Sequence, residues 1–171
     1  MTKQGLDFVL AGLKGSEIVT ELNIAENQFD DDDLSTICDR LLEGVSLNRL
    51  KLNQNEFESP DPFLKLLAQT GAQYTHLDFS RMKFKGNQEI KSLAHALRKL
   101  RQIEELALCG ILADNQTVNS AFTTNQIVDS LVDLKTLKCL DLSKNKFHSE
   151  THDHLLAKLP NLVNIRTLAI S

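Results

Sequence analysis

The chain has 171 residues, 42% of them hydrophobic and 25% charged, enough for one sizeable core. A formal charge of -4, with both signs mixed along the chain, excludes the basic footprint of a nucleic-acid binder. Cys38, Cys109 and Cys139 show no CxxC spacing, which argues against a disulfide framework or zinc ribbon and for a reducing compartment.

In chain order, Leu6, Val9 and Leu13 recur at three- and four-residue intervals and predict a helix over residues 3–14. Asp7 interrupts this apolar patch, which is too short to span a membrane. The helix explains it better than a signal peptide preceded by Lys3 would. Next comes "VTELNIAENQF" from Val19, with apolar residues at Val19, Leu22, Ile24 and Phe29 around a single amide, Asn27. The same template returns as "LNRLKLNQNEF" from Leu47 and "LKCLDLSKNKF" from Leu137. Two copies are degenerate. "YTHLDFSRMKF" from Tyr74 has Met82 where the asparagine belongs, and "IEELALCGI" from Ile103 has Ile111. A last copy, "IRTLAIS" from Ile165, stops after its strand. Successive copies start 28, 27, 29, 34 and 28 residues apart, and a near-constant period is the signature of stacked repeats. The template predicts parallel strands at residues 21–25, 49–53, 76–80, 105–109 and 139–143.

A helical stripe precedes each template: Leu34, Ile37 and Leu41; Phe63 and Leu67; Ile90, Leu93 and Leu97; Ile127 and Leu131; Leu155 and Leu159. The acidic run Asp30 to Asp33 marks the start of the first of these helices, where carboxylates meet free amides and the positive dipole end. A calcium loop lacks the alternating acids and the twelfth-position glutamate here. Ser59 and Pro60 start the next helix. The long unit carries about six extra residues between Ile111 and Thr124, placed in a loop. His148 and His152 stand four apart, beside His154, Glu150 and Asp153, but Ser149 reads as the helix cap, so a solvated first turn is expected and not a metal site.

Strand, turn and three-turn helix at a period near 28 resembles the leucine-rich repeat, and specifically its ribonuclease-inhibitor-like subclass. The resemblance covers almost the whole chain. It implies an α/β fold, a right-handed solenoid with a curved parallel sheet inside and helices outside, built as a single domain over residues 1–171. It also implies that the asparagine side chain sits in the turn and bonds backbone groups that the curve leaves unpaired. Met82 and Ile111 cannot do this, so the two middle turns are expected to be built differently. The helix at 3–14 lacks its own strand and the strand at the other end lacks its helix. The reading therefore expects a slice of a longer array, with poorly covered ends and a tendency to self-associate.

Alternate strand positions point to the concave side. One column runs Glu21, Arg49, His76, Glu105, Cys139, Thr167; the next runs Asn23, Lys51, Asp78, Ala107, Asp141, Ala169; the third runs Ala25, Asn53, Ser80, Cys109, Ser143, Ser171. No aromatic anchor appears, because Phe29, Phe57, Phe84 and Phe147 share one template position in the core. His76, Asp78 and Ser80 have the residue types of a triad, but alternate residues on a strand stand about 6.7 Å apart, too far for proton relay. A His76–Glu105 pair across strands is expected instead. Cys109 is expected to be unreactive, with Glu105 and Asp141 raising its pKa, and Cys38 to be core. No phosphate loop, HExxH or GxSxG is present, so neither an enzyme nor a cofactor, metal or small-molecule substrate is expected. The resemblance implies a protein-binding scaffold that engages a protein partner, not a nucleic acid or a membrane. Its expected surface is the concave face at Glu21, Arg49, Lys51, His76, Asp78, Glu105 and Asp141, in preference to the insertion. The location implied is the cytoplasm, or host cytoplasm for a bacterial effector. Ran GTPase-activating proteins have similar repeats, which leaves a regulatory module as an alternative, though no loop here matches their motif residues. A structural segment of a larger repeat protein is the third reading.

Overall fold

The computed structural model describes residues 1–112 and 120–171. The expected insertion lies largely at 113–119, outside the described residues. Helices and strands alternate: α1 (Lys3–Leu13), β1 (Glu21–Asn23), α2 (Asp31–Leu42), β2 (Arg49–Lys51), α3 (Asp61–Thr70), β3 (His76–Asp78), α4 (Asn87–Leu97), β4 (Glu105–Ala107), α5 (Ala121–Val132), β5 (Cys139–Asp141), α6 (Ser149–Lys158) and β6 (Thr167–Ala169). The strands form one parallel sheet in the order β1 to β6. The expected positions are right, but each strand has three residues, not five, and the copy at Ile165 adds a sixth. The strands end early because the chain twists into its turn; the hydrogen bonds nonetheless continue, with Ile24 N to Lys51 O at 3.0 Å and Glu26 N to Asn53 O at 3.0 Å.

Period-two alternation places Leu22, Leu50, Leu77, Leu106 and Leu140 in the core, in register across the sheet. The helical stripes cover them, and Leu34, Ile37, Phe63, Leu67, Ile90, Leu93 and Leu97 are all fully buried. Burial of each such side chain contributes roughly 1.5–3 kcal/mol. Phe29, Phe57 and Phe84 are buried as expected, whereas Phe147 is half-buried. The rings that touch are Phe63 and Phe79, with centroids 4.8 Å apart, and Phe79 and Phe84, 6.3 Å apart.

Four local expectations need correction. In α1, Leu10 is buried and Val9 is 39% exposed, so the stripe is Leu6, Leu10, Leu13. The spacing 6, 10, 13 is as helical as 6, 9, 13, and the sequence alone could not separate them. The cap of α6 is His148, and the helix starts at Ser149. Helix α3 starts at Asp61 with no side-chain cap at all. The Ser59 and Glu58 amides, just ahead of the helix, donate to Asp31 Oδ1 at 3.1 and 2.8 Å, so a carboxylate of the preceding repeat holds the segment that leads into α3. The acidic run is thus divided between tasks: Asp30 caps α2, Asp33 closes the capping box, and Asp31 reaches forward.

The fourth correction concerns the turns. Asn55 Nδ2 donates to Ile24 O and Leu52 O at 3.0 and 2.9 Å, and its Oδ1 accepts from Phe29 N at 3.3 Å. Asn145 does the same with Leu108 O, Leu142 O and Leu112 N, at 2.8, 2.9 and 2.9 Å. Each amide therefore stitches its own turn to the preceding one. Asn27 donates to Ile24 O and Ala25 O, and its Oδ1 accepts from the Met1 nitrogen at 2.6 Å. Met82 and Ile111 are buried without any such bond to give. Yet their turns keep the same backbone twist: Glu26, Gln54, Arg81, Gly110 and Lys144, each preceding the asparagine position, all have φ between 58° and 67°. In every case the amide of that residue donates to a carbonyl of the next repeat, as with Arg81 N to Cys109 O at 2.8 Å. The backbone geometry is common to all five turns, and only the side-chain stitch is lost in the middle two.

The ends are unevenly covered. Phe8 is 82% exposed on the outer side of α1 and Ile18 90% exposed beyond it. At the other end Val163 is 71% exposed, and Leu159, Leu162, Ile165 and Leu168 are only partly buried.

Removing the Asn55 amide orphans two carbonyls and one amide that are partly shielded from water. At about 1–3 kcal/mol per unsatisfied buried group, discounted for that partial shielding, Asn55→Leu is expected to cost about 3 kcal/mol in urea unfolding. Gly110→Ala meets no atom closer than 3.8 Å, so only its left-handed φ of 66° is strained, and the expected cost is about 1 kcal/mol. Equal costs for the two variants would show that the amide stitch contributes nothing beyond turn geometry.

Candidate functional site

The sheet register brings Glu21, Arg49, His76, Glu105 and Cys139 into one column and Asn23, Lys51, Asp78, Ala107 and Asp141 into the next. These side chains have different partners. Glu21 takes two cations: its Oε2 lies 3.4 Å from Arg49 Nε and its Oε1 lies 3.3 Å from Lys51 Nζ. Arg49 Nε is shielded from solvent and forms no hydrogen bond there. This group carries a net charge of +1, and its members are only about two-fifths exposed.

The C-terminal half is acidic. His76 Nε2 lies 3.3 Å from Glu105 Oε1, the pairing expected across the strands, and its Nδ1 meets Thr75 Oγ1 at 2.8 Å. Asp78 accepts from Ser80 N at 3.0 Å and Asp141 from Ser143 N at 2.8 Å, the same local turn in two repeats. Among the described residues, neither aspartate is in an ion pair. Ser80 Oγ faces away from any triad, accepting Cys109 N at 3.1 Å. His76, Asp78 and Ser80 therefore have separate partners, and no proton relay links them.

Over this half lies a hollow of about 330 Å³, lined among others by His76, Asp78, Glu105, Ala107 and Asp141, with Lys51 at its β2 edge. Sequence reasoning named its charged residues but missed the hollow. The small residues Ala107, Cys139, Thr167 and Ala169 read as a lack of anchors when taken one by one. In register they are the floor of a depression. The available signal was an alanine between two aspartates in one column.

The remaining candidates are structural. Burial, with a smaller contribution from Asp39, pushes the Cys38 thiol up to about 12. Cys109 is also raised, chiefly by burial and then by Asp141; Glu105 is not among the causes. His154 Nε2 bonds Asp129 Oδ1 at 2.9 Å, and Lys158 lies 3.5 Å from the same oxygen, tying α6 to α5. Burial opposes ionisation of Asp129, but its hydrogen bond to His154 and the nearby Lys158 hold its carboxyl below the usual range. Among the described residues, no three His, Cys, Asp or Glu side chains are grouped to hold a metal. No described helix is long and apolar enough to cross a membrane.

No protein-family model matches the sequence, and no curated protein matches it. Among solved structures, the chain is similar to the C-terminal domain of tropomodulin from Caenorhabditis elegans. The TM-score is 0.69 at 10% identity, over 92% of this chain and 92% of that one. The fold is a leucine-rich-repeat solenoid. At that identity the likeness speaks for architecture and leaves the concave residues of this chain to be read on their own chemistry.

Thiol chemistry checks the packing around α2. With its pKa near 12, Cys38 holds almost no thiolate at pH 8, so iodoacetamide is expected to modify it only as fast as the protein unfolds. Labelling of native Cys38 at the rate of a free thiol would contradict its burial.

Proposed function

We propose that this chain acts as a single protein-interaction unit, residues 1–171, of the ribonuclease-inhibitor-like kind, and binds a protein partner through its concave sheet. The repeat period with one helix per unit supports the subclass. The observation that carries the binding reading is the pair of in-register polar columns, partly exposed and open over a hollow, on the face that the helices leave uncovered. The contact surface is centred on Arg49, Lys51, His76, Asp78 and Glu105, with Glu21 and Asp141 at its margins. Protein-interaction surfaces usually rest on aromatic or arginine anchors. Here Arg49 is half committed to Glu21, so affinity is modest and association is steered by charge. The free cysteines support an intracellular, cytoplasmic setting.

Photo-crosslinking tests the face. With a photoreactive residue in place of Asn53 on the concave side, a discrete partner adduct is expected in cell extract. The same residue in place of Lys91, on the exposed side of α4, is expected to give none. Raising salt from about 50 to about 500 mM is expected to reduce the concave adduct several-fold, since exposed charges are screened beyond roughly 8 Å at physiological ionic strength. Adducts from Lys91 and none from Asn53 would move the interface to the helical side.

A further inference from the structure

We infer that the gap over Ala107, between Asp78 and Asp141, is a slot for one basic side chain, arginine or lysine, presented by the protein partner. This rests on the concave face being the binding surface. Asp78, Ala107 and Asp141 are paired in register on β3, β4 and β5, so the two aspartates stand two strand spacings apart, about 9.6 Å. Alanine between them leaves the space above the middle strand open, within the hollow of about 330 Å³. A guanidinium placed there meets one carboxylate on each side, because two charge-assisted bonds of about 2.8 Å plus the width of the cation span a gap of this size, whereas a lysine nitrogen meets one carboxylate at a time.

The local charge fits the same occupant. Each aspartate accepts a single backbone amide, from Ser80 or Ser143, and keeps its remaining acceptor capacity unused among the described residues. Glu105 adds a third acid to the same hollow. The basic side chains within the columns have partners of their own: Arg49 and Lys51 have Glu21, Lys51 doing so from the β2 edge of the hollow, and His76 has Glu105. Arg81 and Lys144 lie at the turn edge around Cys109 and pair with neither aspartate. A hollow with unpaired acids, beside a patch of net charge +1, also sets direction: the partner places its cation over β3–β5 and a neutral or acidic group over β1–β2.

Asparagine is the useful substitution, because it keeps the side-chain oxygen that accepts the Ser80 or Ser143 amide and removes only the charge. The test selects peptides from a random 12-residue display library on the 171-residue protein. Enriched peptides are expected to carry an arginine or lysine whose replacement by alanine weakens binding roughly tenfold, and the double variant Asp78→Asn, Asp141→Asn is expected to weaken them to the same degree. Ala107→Trp, which fills the slot, is expected to abolish their binding, while thermal melts of the asparagine variants match the parent. Peptides blocked by Ala107→Trp but lacking an essential basic residue, and indifferent to the double asparagine variant, would overturn the slot and leave the concave face standing. Peptides indifferent to Ala107→Trp and to Arg49→Glu alike would overturn both. Uptake of calcium ions at the two aspartates, in place of any basic peptide, would assign the gap to an ion and overturn the inference.

Discussion

The backbone at five turns depends on one constraint: a residue forced to positive φ so that its amide can reach the next repeat. Four of these residues are not glycine: Glu26, Gln54, Arg81 and Lys144. A left-handed conformation costs such a residue roughly 1–2 kcal/mol. The strain persists because the amide of each finds a carbonyl one repeat ahead, and the strand that follows is thereby set in register. Register in turn decides which side chains share a column, and so which charges face one another across the sheet. The asparagine stitch is a second layer on this geometry. It satisfies carbonyls that the curve would leave bare, and it is present at three turns of the five.

Most of the fold was legible in the sequence because its signals repeat. A single apolar stripe is ambiguous, but Leu34, Ile37 and Leu41 gain weight when Ile90, Leu93 and Leu97 hold the same offsets. Where a signal occurs once, the reading failed. Val9 and Leu10 are both apolar and both helically spaced, and only three-dimensional packing chooses between them. The task of Asp31 was equally hidden, since its partners, the Glu58 and Ser59 amides, lie 27 and 28 residues away and depend on how adjacent units stack. The middle turns were misjudged for another reason. Loss of the asparagine suggested a new turn, but the backbone requirement is independent of the side chain, and Met82 and Ile111 fill the same space with apolar bulk.

The candidate site was legible as columns and not as a surface. Counting by two gave the correct neighbours, including His76 with Glu105. What counting could not give is which charges cancel. Glu21 serves both Arg49 and Lys51, whereas Asp78 and Asp141 keep their charge unpaired, so the balance of the face shifts along the array. Side-chain reach decides this. A long lysine or arginine can bend toward a glutamate on the adjacent strand, while a short aspartate bonded to its own turn stays where the backbone puts it.

The interrupted stitching has a mechanical side. Asparagine bridges cross the turn edge between the β1 and β2 units and again between the β4 and β5 units, whereas Met82 and Ile111 stand at that position in the two turns between. Of the first four joints along that edge, the first and the fourth carry an asparagine bridge, whereas the second and third rely on backbone bonds, hydrophobic contact and other side-chain links, such as Ser80 Oγ with Cys109 N and Glu58 with Lys83 and Lys85. The asparagine bridging is therefore interrupted on either side of β3. A curved sheet that flexes about β3 alters the spacing of everything hung from β2 to β4, so the width of the concave opening is the coordinate that such flexing controls.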